Sequence, residues 1–185
     1  AMNLCPSACS PKLSENDPAW YLALIAGQML CETGIAQRVP LNTLNRECRE
    51  RIVKSLTQIV TGGRLPARDR AAAGIALGVL GDPRKGVGLT SGGLPDIDWI
   101  EIPAGPFIMG EGAGQRRCDL IWKPYRIGRY PVTVAQHQAF VAAGGYRDDG
   151  RRYWTKAGWE WKKSQDIRGP EDSDPVFQTP NHPRI

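Results

Sequence analysis

Residues 98–110, DWIEIPAGPFIMG, and residues 125–141, YRIGRYPVTVAQHQAFV, decide how the chain is read. In the first, Ile100 and Ile102 alternate with Trp99 and Glu101 as on a pleated strand, and Pro103-Ala104-Gly105-Pro106 interrupts the run before Phe107-Ile108-Met109 resumes it. Two short strands around a tight turn follow from that pattern. In the second, a basic and aromatic strand from Tyr125 to Tyr130 is stopped by Pro131. Thr133 with Gln136 three residues on spells a capping box, which predicts a short helix ending at Gly144-Gly145.

The run from Trp99 to Gly110 carries a resemblance together with Pro131-Val132-Thr133, Phe140-Val141, Gly144-Gly145-Tyr146, Tyr153-Trp154 and Gly158-Trp159. At these residues the chain resembles the formylglycine-generating enzyme family, also called the sulfatase-modifying domain, whose fold is a variant of the C-type lectin fold. The likeness covers about half of the chain, from Asp98 onward. Val134 stands where the family often has Asn. In the family, a segment like Asn181-His182-Pro183 leads on into a strand beginning Val-Ser-Trp, so residues 98–185 are expected to supply the N-terminal half of the fold. The resemblance implies that the other half is a partner, on a second chain or in a continuation.

Composition is that of a globular protein: 41% hydrophobic and 23% charged residues, with 21 Gly and 15 Pro pointing to a loop-rich second half. The net charge of +5 is spread and interrupted by acids, as in Arg147-Asp148-Asp149-Gly150-Arg151-Arg152, which argues against a nucleic-acid partner. Residues 2–10, MNLCPSACS, have neither a charged nor an apolar leader segment, and no run reaches membrane-spanning length, so a cytoplasmic location and no membrane partner are expected. Five Cys, at 5, 9, 31, 48 and 118, are an odd number in such a chain and are expected to stay reduced. Cys5 and Cys9 lack a second pair at ligand spacing, and with two His in the chain neither a metal nor another cofactor is expected.

Before residue 98 the pattern is helical. Asp17 can cap a first helix, Pro18 suits its first position and Gly34 its end, with Trp20, Leu24, Ile25 and Met29 as the apolar face. A second helix, from about Asn42 to Val60, lines up Leu44, Cys48, Ile52, Leu56 and Ile59. The third, from near Pro66 to Leu80, presents Ala72, Ala76, Val79 and Leu80, and its Gly74-x-x-x-Gly78 spacing predicts close approach of a neighbouring helix. Helices two and three, ending in Leu-Gly-Asp-Pro-Arg at 80–84, resemble one unit of a HEAT-like repeat. The Gly-rich stretch 84–97 has neither phosphate-loop spacing and reads as an accessible linker. Residues 1–83 are thus a helical domain, 84–97 a linker and 98–185 an incomplete second domain, α+β overall.

Five of the six Trp lie in the second half; most are expected in its core, with Trp122 and Trp161 as exposed candidates for ligand binding. His137, beside Phe140, is expected to be structural, and Glu171-Asp172-Ser173-Asp174 a solvated loop. Two functions compete under the resemblance. Formylglycine-generating enzymes oxidise a substrate Cys with oxygen using two cysteines that hold copper, and a related branch makes sulfoxides with non-haem iron held by histidines. No catalytic residue carries over from either branch, and neither Cys118 nor His137 stands at a matching position. The other function is a non-catalytic recognition module for a protein or small ligand, as in the variable proteins of diversity-generating retroelements. The helical extension, which an oxidase does not need, makes the recognition module the expected function.

Overall fold

The structure, a computed structural model, describes residues 18–34, 43–170 and 174–184. Three helices open it: α1 (Pro18–Thr33), α2 (Thr43–Thr61) and α3 (Ala67–Leu80). They enclose one apolar core of Trp20, Leu24, Ile52, Leu56, Ile59, Leu77 and Leu80, all at most 6% exposed. Burial of this kind stabilises by roughly 1.5–3 kcal/mol per large side chain. Leu65, in the α2–α3 turn, takes a left-handed φ of 64° and is still 3% exposed, so its packing in the core offsets the backbone strain. Arg49 of α2 donates from Nη2 to the Leu80 carbonyl, satisfying one of the open carbonyls at the end of α3 with a cation.

The face of α1 differs from the expected one. Trp20 and Leu24 are buried, but Ile25 and Met29 are 45% and 43% exposed, and Ala23, Gly27 and Leu30 complete the inner stripe. Until Glu32 the described helix has no charged residue, so hydrophobicity alone did not fix its phase. On α2, Leu44 is exposed while Cys48, Ile52, Leu56 and Ile59 face inward as read. On α3 the buried stripe is Ala73, Ala76, Leu77, Gly78 and Leu80, with Ala72 and Val79 half-buried.

The second half contains two small antiparallel sheets. β1 (Trp99–Ile102) pairs with β4 (Tyr125–Gly128), with Ile100 opposite Ile127 and Ile102 opposite Tyr125. β2 (Phe107–Met109) pairs with β3 (Arg116–Cys118), with Ile108 opposite Arg117. The Pro-Gly turn between β1 and β2 is held by Gly105 N–H donating to the Ile121 carbonyl at 2.8 Å. Both expected strands exist, but they do not pair with each other across the turn: β2 pairs with the next strand, β3, and β1 reaches past that hairpin to β4. Helices and small antiparallel sheets together make the molecule α+β, as read.

Helix α4 (Val134–Ala142) starts at the expected capping box: Thr133 Oγ1 accepts from Gln136 N–H, and Gln136 Oε1 accepts from Thr133 N–H. It is followed by a 3-10 turn, Asp148–Tyr153, and helix α5 (Lys156–Ser164). Phe140, Tyr146, Tyr153 and Trp154 meet edge-on or tilted with centroids 5.7–6.5 Å apart, and Trp154 Nε1 donates to the Gly145 carbonyl at 2.6 Å. A Cβ on Gly145 would lie 2.3 Å from Phe140 Cζ, so the ring packs flat on the backbone of the glycine. Trp159, 1% exposed, completes the cluster beneath Lys162 Nζ at 4.5 Å.

The stretch read as a free linker is tied down. Gln136 Nε2 donates toward the carbonyls of Gly86, Gly88 and Asp96, and Thr133 Oγ1 donates to the Val87 carbonyl at 2.8 Å. Val87 is 2% exposed, and Thr90 N–H donates to the Leu94 carbonyl at 2.8 Å across a turn. Residues 86–88 and 96 are thereby held against the capping box, while the turn at residues 89–95 between them is exposed.

Candidate functional site

Three elements converge where the helical half meets the sheets: the turn after α3, the N-terminus of α4, and residues 180–184. Asp82, with a side chain 4% exposed, accepts from Arg84 Nη2 at 2.6 Å and from Asn181 Nδ2 at 2.8 Å. Burial pushes its carboxyl up, but the hydrogen bonds from Arg84 and Asn181 and the Arg84 charge outweigh it and hold it below the usual carboxylate range. Arg84 also lies over the Tyr130 ring at 5.6 Å. Residues 180–184 close the other side: Val134 and Ala135 N–H donate to the His182 and Pro180 carbonyls at 2.9 Å, and Arg184 N–H to the Val132 carbonyl at 2.8 Å. A cleft opens beside this junction, lined by Gly74, Ile75, Arg84, Phe177, Asn181 and His182.

A second cleft lies under the Ile102–Phe107 turn, closed by Ile121 and Tyr125, and its lining is more apolar than polar. The two strands that frame it are not fully covered, since Ile108 is 63% and Ile127 51% exposed.

Of the two residues expected to bind ligand, Trp122 is 75% exposed with Lys123 Nζ 4.2 Å above its ring, and Trp161 is 57% exposed on α5. They lie on separate elements, and neither lines either of these two clefts. Trp99, on β1, is a third exposed tryptophan, at 55%. His137 is half-buried as read, with Nε2 3.4 Å from the Tyr146 hydroxyl; burial first, and the Arg184 charge second, hold its pKa below the ordinary value. Cys118 is half-buried on β3. Cys5, Cys9 and residues 171–173 of the acidic cluster lie outside the described residues. Among the described residues no group of three His, Cys, Asp or Glu is placed to hold a metal ion, so the donors for a copper or iron centre are not gathered here.

Asn181 was not singled out from the sequence for this junction. Its signal was its place in the Asn-His-Pro run, and its partner Asp82 sits in the Leu-Gly-Asp-Pro-Arg run, so both lay inside recognised motifs.

The comparisons bear on the part of the chain from residue 94 onward. Residues 94–184 match the sulfatase-modifying factor enzyme 1-like domain. Its relatives include the hercynine oxygenase of Mycolicibacterium smegmatis, 32% identical over 85 residues, which are 41% of this chain and 19% of that protein. The hercynine oxygenase of Mycolicibacterium thermoresistibile is 43% identical over 51 residues, 28% of this chain and 11% of that protein. That of Mycobacterium tuberculosis is 32% identical over 74 residues, 35% of this chain and 17% of that protein. The chain spans less than a fifth of the length of these relatives. No solved structure matches it.

These relatives overturn the expected recognition module. They are enzymes by name, and they are not retroelement variable proteins. The helical extension misled because a helical segment before the domain says nothing about catalysis. No helix among the described residues is long and apolar enough to cross a membrane.

Proposed function

We propose that the chain is part of an oxygen-dependent oxidase of the hercynine oxygenase kind, which joins a thiol to an imidazole-bearing substrate as a sulfoxide. The observation that carries this reading is the similarity to three hercynine oxygenases. In the proposed reaction, dioxygen accepts four electrons. The imidazole C–H and the thiol S–H bonds break, a C–S bond forms, one oxygen atom stays on sulfur and the other leaves as water with both hydrogens. Non-haem iron is the cofactor that the resemblance implies for such chemistry. Its ligands are not gathered among the described residues, so no step is assigned to this chain's own side chains.

The role that fits residues 94–184 is that of the frame. Their fold is read as the N-terminal part of a C-type lectin variant, in a cytoplasmic protein. The exposed apolar residues of β2 and β4, Ile108 and Ile127, support a cover supplied by further residues of the domain, in a continuation or on a second chain.

Oxygen uptake by the full gene product containing this chain, loaded with iron(II) and given hercynine with cysteine, tests the reading. Uptake that needs both substrates is expected. Uptake with a cysteine-containing peptide by the copper-loaded protein instead moves the chain to the formylglycine branch, and no uptake under either condition overturns the oxidase reading.

A further inference from the structure

We propose that Gly74, Gly78 and Asp82 form a built seat for Asn181, which positions residues 180–184 and couples the helical half to the sulfatase-modifying-like domain. The Gly-x-x-x-Gly spacing of α3 was expected to admit a helix. Instead Gly78 admits a loop: a Cβ there would stand 2.3 Å from Asn181 Oδ1 and 3.3 Å from Thr179 Cβ and so displaces Asn181, whereas a Cβ on Gly74 would meet nothing within 4 Å and Gly74 contributes its carbonyl. The amide nitrogen of Asn181 has two hydrogens, and both are used. One goes to the Gly74 carbonyl at 2.8 Å, the other to Asp82 Oδ2 at 2.8 Å.

The carboxylate end of the seat is almost fully buried and is charged by its pairing with Arg84, so its bond to Asn181 is of the stronger, charge-assisted kind. On its opposite side the same short segment satisfies open N–H groups at the start of α4, through the carbonyls of Pro180 and His182. Five residues are therefore bonded to α3 and to α4 at once. A displacement of α3 either breaks the Asn181 bonds or carries 180–184 and the start of α4 with it. The seat thus makes the helical half part of the domain's support, and this holds whatever reaction the protein performs.

Native-state hydrogen exchange on the intact chain tests the coupling, comparing wild type with Gly78→Ala, Asn181→Ala and Asn181→Asp. Ala at 78 favours the helix by propensity while its Cβ displaces Asn181, so α3 and residues 180–184 are driven in opposite directions. The amides of Val134, Ala135 and Arg184 are expected to exchange about tenfold faster or more in Gly78→Ala and Asn181→Ala, as for loss of a hydrogen bond to a charged group. They are expected to exchange fastest in Asn181→Asp, which sets a second carboxylate against Asp82. In Gly78→Ala the α2 core amides from Ile52 to Ile59 keep their protection. Unchanged exchange at Val134, Ala135 and Arg184 in Gly78→Ala and Asn181→Ala overturns the proposal, since α4 alone would then hold the segment. So does wild-type protection in Asn181→Asp.

Discussion

Asn181 and Asp82 lie 99 positions apart in the chain and share a 2.8 Å hydrogen bond at the meeting point of α3 and residues 180–184. Removing either side leaves a buried polar group short of a partner. Asn181→Ala is expected to lower the unfolding free energy by about 1.5–3 kcal/mol, the range for hydrogen bonds to charged groups. Urea denaturation checks this, and a loss below about 0.5 kcal/mol would show that water replaces the amide.

The same pair sets an acid limit. Asp82 has a pKa in the folded protein below that of the unfolded chain, so the folded state binds the proton less readily. Its contribution is therefore present above the unfolded value of about 4 and is lost as pH falls through the folded value. The groups facing it are Arg84 and Asn181, neither of which titrates in that window. Stability measured from pH 5 downward is expected to fall less steeply in Asp82→Asn than in wild type. Equal slopes would contradict it.

Gln136 is expected to be the most sensitive polar position of the second half. It is 3% exposed, caps α4 and donates to backbone carbonyls of the 86–96 segment. Gln136→Glu turns that donor into a carboxylate facing carbonyl oxygens, and costs about 2 kcal/mol or more. Limited proteolysis reads it locally: wild type resists cleavage between Arg84 and Asp96, and the variant is cut there first. Early cleavage of wild type at that stretch would show that these bonds do not hold it.

The two halves of the chain differed in how much their sequences disclosed. Capping box, helix ends and strand positions were legible because each is written within a few neighbouring residues: Thr133 with Gln136, Pro18 with Gly34, Ile100 with Ile102. The ordering of residues 84–97 was not, because the donors that fix it belong to a side chain 40–50 positions away, on α4. The seat for Asn181 was hidden for the same reason: the glycine spacing suggested closeness, which holds at Gly78 alone, and did not say what comes close. On α1, a face without charges gave no phase, so Ile25 and Met29 were placed inward. Trp122 and Trp161 are exposed as read, but they stand on separate elements away from both clefts, so exposure alone did not locate a site.

Gly145→Ala is expected to disturb the aromatic cluster, since the added methyl meets the Phe140 ring at 2.3 Å. Overpacking of this kind costs about 1–3 kcal/mol. Near-ultraviolet circular dichroism should lose intensity from Tyr146, Trp154 and their neighbours while the helix signal stays. Trp122→Ala is the control: at 75% exposure it is expected to change stability by no more than about 0.5 kcal/mol.

The oxidase reading is tested most directly by mass spectrometry of the product formed under labelled dioxygen, using the full iron-loaded gene product with hercynine and cysteine. The account predicts a sulfur-bridged product carrying one oxygen atom from dioxygen. Recovery of unreacted hercynine, or a product with oxygen only from water, would contradict it.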